Sequence, residues 1–287
     1  MNDIKFHLID TGLFKLDGGA MFGEVPKSIW NRSFPADENN LITLAKKALL
    51  VETNNRLILF DTGMGNKQSE KFLRYFHLHG DGDLIKSIQH SGFATEDVTD
   101  VFFTHLHFDH CGGAVQWKEG TVDTPELVFE NATHWSNKQH WQWAKTPNAR
   151  EKASFLAENL DPIADSGKLK FIEEHPNPFE GIFDLIYVDG HTEKQMIPVF
   201  DVSGSKFVFA ADLLPTIGHI PMPYVMSYDV RPLLTLKEKA DFFERCTREN
   251  INIILQHDAT TDICTLKQTP KGPRLDQQWS WDEFFKK

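Results

Sequence analysis

Apolar residues fall in short runs rich in β-branched and aromatic side chains: 4–9 (IKFHLI), 48–53 (ALLVET), 56–60 (RLILF), 101–104 (VFFT), 126–130 (ELVFE), 183–188 (FDLIYV), 196–202 (MIPVFDV) and 206–211 (KFVFAA). Runs of this length and composition, bounded by polar and turn-forming residues, predict strands. Three other stretches carry apolar positions at helical spacing instead: 83–92, closed by Gly92, 149–160, and 235–250. Strands and helices occur in both halves, which predicts an α/β fold of sheets covered by helices on their outer faces. No Pro/Gly/Ser linker separates the halves and no short repeat is apparent, so a single domain over 1–287 is expected.

Composition narrows the function more than the fold. The chain has 287 residues and a formal net charge of -11, from 30 Lys and Arg against 41 Asp and Glu. A polyanion would meet net repulsion, so no nucleic-acid partner is expected. Acidic Asp3 and Asp10 stand where a secretion signal would need basic and unbroken apolar segments, and polar residues interrupt every run that could cross a bilayer. Neither secretion nor a membrane partner is expected. Cys111, Cys246 and Cys264 are odd in number and lack CxxC spacing, which suggests reduced thiols and a cytoplasmic setting. Cys111 is expected to be a small buried hydrophobe rather than a catalytic thiol.

The chemistry concentrates in 101–113, VFFTHLHFDHCGG, where His105, His107, Asp109 and His110 follow an apolar strand and precede two glycines. In an extended chain residues 105, 107 and 109 would point the same way, and the turn toward Gly112 and Gly113 could bring His110 to a second metal. Imidazole and carboxylate donors suit zinc, and also iron or manganese, so the ligand types leave the ion open. His191, Asp212 and His257 each stand where an apolar strand emerges into a loop. With the first cluster they supply the seven ligands of a dinuclear site.

This pattern, THxHxDH followed by GHT, AAD and a strand-end histidine, resembles the metallo-β-lactamase superfamily. The resemblance implies a four-layer αββα sandwich with the site at one edge. It implies that His105, His107 and His191 hold one metal, that Asp109, His110 and His257 hold the other, and that Asp212 bridges them. Two divalent ions, zinc above all, with iron, manganese or cobalt as alternatives, are the cofactors so implied. Asp61 of LFDTG matches the family's buried aspartate that orients a ligand histidine; as a turn-forming Asp before Thr-Gly it needs no such role. Two cations sharing a solvent oxygen make it a nucleophile at neutral pH, with Asp109 placed to pass a proton to the leaving oxygen and Asp212 holding both ions.

Within the superfamily the chain resembles the quorum-quenching N-acyl homoserine lactonase branch. That likeness extends over 17–30 (DGGAMFGEVPKSIW), 59–65, 104–113, 211–219, 227–229 (SYD) and 257–259. It implies a lactone or ester substrate of small size and a homodimer contact. It also implies that Met21, Phe22 and Trp30 belong to a lid over the site; simple packing into the core is the alternative reading. The best-known lactonases have a tyrosine three residues after the bridging aspartate, where this chain has Pro215, so His219, Tyr224 and Tyr228 are candidate donors to the substrate carbonyl. Alternatives are an organophosphate or phosphodiester hydrolase, a glyoxalase II-like thioester hydrolase, and a non-catalytic binding protein on the same fold. Only 30 residues follow His257, which leaves little room for a glutathione-binding region. His77, His79, Asp81 and Asp83 imitate a metal cluster, although the glycines among them favour a solvated loop. For His134 and His140, in a Trp-rich stretch, aromatic packing is the commoner explanation.

Overall fold

The structure is a computed structural model that describes residues 3–174 and 178–285. The chain divides into two compact units, Met1–Gly12 with Lys46–Ile182 (unit 1) and Leu13–Ala45 with Phe183–Lys287 (unit 2). Strands are numbered in chain order: β1 (Lys5–Asp17), β2 (Leu41–Glu52), β3 (Leu57–Phe60), β4 (Asp100–Phe102), β5 (Val115–Trp117), β6 (Pro125–Leu127), β7 (Thr133–Ser136), β8 (Leu169–Phe171), β9 (Asp184–Val188), β10 (Gln195–Val202), β11 (Ser205–Phe209), β12 (Asn252–Ile254), β13 (Ile263–Thr269) and β14 (Gly272–Trp279). The borders between the units fall inside β1 and β2.

In unit 1 the sheet runs in the order β1-β2-β3-β4-β7-β8, with β3, β4, β7 and β8 parallel. Every residue of β3 is buried, as a strand covered on both faces requires, which explains why RLILF reads as a continuous apolar run rather than an alternation. One face sends Leu57, Leu59, Val101 and Phe103 against Ile88, Trp141, Ala144, Leu160 and Ile163. Those partners come from the helices Leu84–His90, Lys138–Lys145 and Ala157–Asp165. A second cluster joins Phe60, Phe102, Trp135 and Phe179 by ring contacts of 5.2–5.7 Å. Each such side chain contributes about 1.5–3 kcal/mol of burial free energy.

Unit 2 holds the order β14-β13-β12-β11-β10-β9. Strands β11 and β12 pair in parallel, a geometry that needs a long crossover, and the helix Pro232–Glu249 supplies it. Pro232 opens this helix, where its missing N–H costs nothing, and Asn250 closes it in the left-handed region at φ 49°. Its Phe242, Phe243 and Cys246 pack with Val208, Ile253, Cys264 and Leu266.

Local structure departs from the sequence pattern in three places. The stretch 149–160 turns instead of forming one helix, because the Asn148 side chain accepts from the amides of Arg150 and Glu151. Helix starts only at Ala157. The run 126–130 contributes only its first two residues to β6. Residues 17–30, where the resemblance implied a lid, form the helices Gly18–Phe22 and Lys27–Trp30, the first capped by Asp17. No helix among the described residues is long and apolar enough to cross a membrane.

His134, on β7 in unit 1, is fully buried, and neither ring nitrogen makes a hydrogen bond of good geometry. Burial pulls its pKa down to about 4, only partly offset by the Ala132 carbonyl. Because the folded value lies below the ordinary 6.5, the unfolded chain takes up the proton first, so stability present above pH 6.5 is lost as pH falls toward 4. Chemical denaturation at pH 7 and pH 5 should show the His134→Leu variant losing about 2 kcal/mol less than the wild type over that interval.

Candidate metal centre

In unit 1, β4 runs into Phe103 and Thr104 and then into the histidine segment. His105 and His107 stay extended, but His107 is the N-cap residue of a short helix, Phe108–Cys111, so Asp109 is not in the extended run that the alternation suggested. The helical turn carries Asp109 and His110 around instead. His105 and His110 are fully buried, and the Asp109 carboxylate is 14% exposed.

A second glycine-rich segment clamps this one. The Thr62 amide and hydroxyl both donate to the His110 carbonyl, at 2.7 and 3.0 Å, and the Gly113 amide donates to the Gly63 carbonyl at 3.0 Å. The backbones approach so closely that a Cβ on Gly113 would lie 2.1 Å from the Thr62 carbonyl oxygen, and one on Gly112 would lie 2.1 Å from that of Met64. Asp61, at φ 59°, enters the clamp in a conformation that non-glycine residues seldom adopt. Its carboxylate accepts from the Thr104 amide and hydroxyl, both at 2.8 Å, and lies 3.0 Å from His110 Nδ1. Lys67 Nζ donates to the Gly112 carbonyl at 2.5 Å.

These contacts fix how each imidazole is protonated. Thr104 Oγ1 gives its proton to Asp61, so at 3.1 Å from His105 Nδ1 it is an acceptor. His110 Nδ1 faces Asp61 in the same way, and His107 Nε2 lies 3.6 Å from Glu151 Oε1, beyond hydrogen-bond reach. With protons held on the outward nitrogens of His105 and His110, their inward nitrogens carry lone pairs. His105 Nε2 and His107 Nδ1 face each other at 3.1 Å, and His110 Nε2 lies 3.7 Å from Asp109 Oδ2. Two acceptors at such distances repel unless a proton or a cation lies between them.

Unit 2 repeats the arrangement. His191 Nδ1 donates to Asp229 Oδ1 at 2.8 Å, and His257 Nδ1 donates to the Ala45 carbonyl at 2.9 Å. The inward nitrogens converge on one carboxylate: His191 Nε2 is 3.1 Å from Asp212 Oδ2, and His257 Nε2 is 3.0 Å from Asp212 Oδ1. Asp212 follows Ala211, whose φ of 42° turns the chain sharply at the end of β11. Burial would depress the His191 pKa, but Asp212 and Asp229 outweigh it and raise the value to about 10. Asp212 and Asp229 together thus stabilise a positive charge on the His191 ring.

Other residues singled out by the sequence lie as follows. Met21, Phe22 and Trp30 are buried, with Phe22 stacked on Trp30 at 5.4 Å and on His219 at 4.8 Å. Within unit 2 these side chains are core. His219 has both ring nitrogens engaged: Nε2 donates to the Met21 carbonyl and Nδ1 accepts from Thr216 Oγ1, each at 2.8 Å. Burial holds its pKa near 3, so it is a neutral fastener with no donor left for a substrate. Tyr224 meets Phe22 edge-on at 6.2 Å, and Tyr228 is 39% exposed beside Asp229. The Pro215 carbonyl accepts from the His257 amide. Cys111 is buried, donates to the Leu106 carbonyl, and is pushed up to about 12 by burial, which leaves it an unreactive thiol. Around 77–83, His79 bonds the His77 carbonyl and Asp83 caps a helix; among the described residues no metal-ligand cluster forms there. His140 Nε2 accepts from the Leu106 amide at 2.8 Å and so braces the histidine segment, a role the sequence did not reveal.

Residues 43–254 match the sequence model of the metallo-beta-lactamase superfamily. The chain belongs to that superfamily. Among solved structures, a probable metal-dependent hydrolase from Staphylococcus aureus is 29% identical, with a TM-score of 0.85 over 97% of each chain. AidC, described as a dizinc quorum-quenching lactonase in complex with a product, is 23% identical, with a TM-score of 0.78 over 98% of this chain and 96% of its own. A Bacillus thuringiensis AiiA mutant with N-decanoyl-L-homoserine bound is 20% identical, with a TM-score of 0.67 over 90% and 95%. Likenesses at these last two identities show the fold, and it is the metallo-β-lactamase α/β fold expected from the sequence. A probable metallo-hydrolase of Mycobacterium bovis is 29% identical over 125 residues, 38% of this chain and 40% of that protein. The chain thus spans about two fifths of the length of the curated relatives it matches.

Adding a methyl group at Gly113 must push the two clamped segments apart. The Gly113→Ala variant should lose at least about 2 kcal/mol of unfolding free energy in urea titration, whereas Gly92→Ala, with open space around the added carbon, should lose less.

Proposed function

We propose that the chain is a dinuclear metal-dependent hydrolase that opens lactones of the N-acyl homoserine type. The observation that carries the metal reading is the crowding of inward ligand atoms in both units, His105 Nε2 against His107 Nδ1 in one and the Asp212 carboxylate between His191 Nε2 and His257 Nε2 in the other. In this reading His105, His107 and His191 hold one cation, Asp109, His110 and His257 the other, and Asp212 both; zinc fits such a donor set, as would iron, manganese or cobalt. Bound divalent cations supply Lewis acidity and bring the pKa of water close to neutrality.

The side chains do the rest. Asp109 is a solvent-reachable carboxylate beside the buried imidazoles of unit 1, so it moves the proton to the departing alkoxide oxygen. Asp61, Asp229 and the Ala45 carbonyl keep the imidazoles in the tautomer that ligation needs. Tyr228, exposed and next in the chain to Asp229, supplies the phenol that polarises the substrate carbonyl in place of the tyrosine absent at Pro215.

Support for an acylated lactone comes from unit 1, where Phe72, Phe76 and Phe108 form a half-buried aromatic cluster with ring contacts of 4.8–5.2 Å, and Phe108 precedes Asp109. Such a surface takes an aliphatic chain next to the reacting groups. The fold likeness to AidC and AiiA, whose structures hold acyl-homoserines, points the same way. The protein acts as a soluble small-molecule enzyme in this reading, in the cytoplasm and as a homodimer.

Zinc-loaded protein should open N-hexanoyl and N-decanoyl homoserine lactones in a pH-stat assay, in preference to paraoxon, bis-(p-nitrophenyl) phosphate and S-lactoylglutathione. Preference for a phosphate ester or the thioester would replace the lactonase reading, and loss of all turnover with metal bound would favour a binding protein. Asp109→Ala should keep both metals by mass spectrometry and lose turnover. Asp61→Asn, whose side chain tolerates the left-handed backbone, should fold yet bind metal about 10–100-fold more weakly in chelator competition. Tyr228→Phe should lower kcat roughly tenfold with metal content unchanged.

A further inference from the structure

Within unit 2, β9 ends at Val188, and the turn through Asp189 and Gly190 delivers His191. Amides just past a strand end have lost their ladder partners and need other acceptors. Glu238, in the helix Pro232–Glu249, provides them: its Oε1 accepts from the Asp189 amide at 2.7 Å and its Oε2 from the Gly190 amide at 2.9 Å. The carbonyls of the turn are held by the segment that leads into the same helix. Arg231 Nη1 donates to the Asp189 carbonyl at 2.6 Å, the Arg231 amide to that of Gly190 at 2.9 Å, and the Val230 amide to that of His191 at 3.2 Å. The fit leaves no room for a side chain at the turn: a Cβ on Gly190 would lie 2.6 Å from the Thr235 amide nitrogen and 2.7 Å from Glu238 Oε2.

We infer that Glu238 is a positioning residue for His191, fixing the turn so that the imidazole stays aligned on Asp229 and presents Nε2 as a ligand. The inference rests on the reading that His191 holds one of two cations. Glu238 bonds the backbone ahead of the ring and not the ring itself. One carboxylate spanning two successive amides sets the orientation of both peptide planes, and with them the direction in which the next side chain leaves the chain; charge-assisted bonds hold such an orientation more strongly than neutral ones. The residues 229–231 take the ring proton and grip the carbonyl side of the turn, while Glu238 grips the amide side. Releasing the amide side lets the turn pivot, and the ring then moves relative to Asp229. A glutamine at 238 keeps the length of the side chain but offers a single acceptor oxygen and sets an N–H against one of the two amides.

Chelator competition on the zinc-loaded full chain, with zinc content read by mass spectrometry, tests the assignment. The Glu238→Gln variant should release one zinc equivalent at about 10–100-fold lower chelator concentration than the wild type and hold the other as the wild type does. Glu244→Gln, on the exposed face of the same helix, should release both as the wild type does. Release of both equivalents unchanged in Glu238→Gln, or both weakened together as a general loosening of the fold would do, would overturn the proposal while leaving the dinuclear reading in place. A wild type that holds fewer than two zinc equivalents would overturn both. Should Glu238→Gln fail to fold by circular dichroism, the same loss confined to one equivalent is read from Glu238→Asp, which withdraws the carboxylate by one methylene.

Discussion

Everything functional in this chain depends on where the outward nitrogen of each imidazole sends its proton. A histidine can present a lone pair to a cation only if its other nitrogen is held as a donor. The fold supplies an acceptor for four of the five: Thr104 for His105, Asp61 for His110, Asp229 for His191 and the Ala45 carbonyl for His257, while the Glu151 carboxylate lies 3.6 Å from His107 Nε2. The consequence, within each unit by itself, is a pair or trio of ligand atoms about 3 Å apart: His105 against His107 in unit 1, and Asp212 with His191 and His257 in unit 2. Where two unprotonated nitrogens face each other, as His105 Nε2 and His107 Nδ1 do, a proton or a cation between them relieves the repulsion. The local strain at Asp61 and Ala211, both at positive φ, sits directly beside the residues so oriented.

The glycine-rich segments serve the same end. Gly112 and Gly113 let the histidine segment lie against 62–64 at backbone contact, so that Asp61 reaches two turns of chain at once. A side chain there would open the clamp and release the acceptor from His110. Stability and site geometry are therefore tied to the same few backbone contacts, while the apolar strands that deliver them contribute most of the burial free energy.

The sequence made the donors legible and the acceptors much less so. THLHFDH, GHT, AAD and the strand-end His257 stand out because rare residue types recur at short, fixed intervals beside apolar strands. Asp61 was visible through its LFDTG setting. Asp229 lies 38 residues from the histidine it holds, and only the SYD text hinted at it. Ala45 acts through its carbonyl, which no side-chain pattern records. Glu151 and His140 were hidden by a misread segment: 149–160 has helical spacing, but Asn148 bends the chain there, and the Trp-rich stretch became the helix Lys138–Lys145. The strands β8 and β14 lie at sheet edges and are half exposed, where alternation is weak, and the four-residue β7, in the Trp-rich stretch, is too short to show a period. His219 drew attention as a candidate donor since histidine is versatile, whereas its buried stacking on Phe22 commits both nitrogens.

The most direct test of the account is anomalous diffraction at the zinc edge from crystals of zinc-loaded protein. Two peaks about 3.5–4 Å apart, one against His105, His107 and His191 and the other against Asp109, His110 and His257, with Asp212 between them, are the predicted result. A single peak, no peak, or metal bound away from these side chains would contradict it.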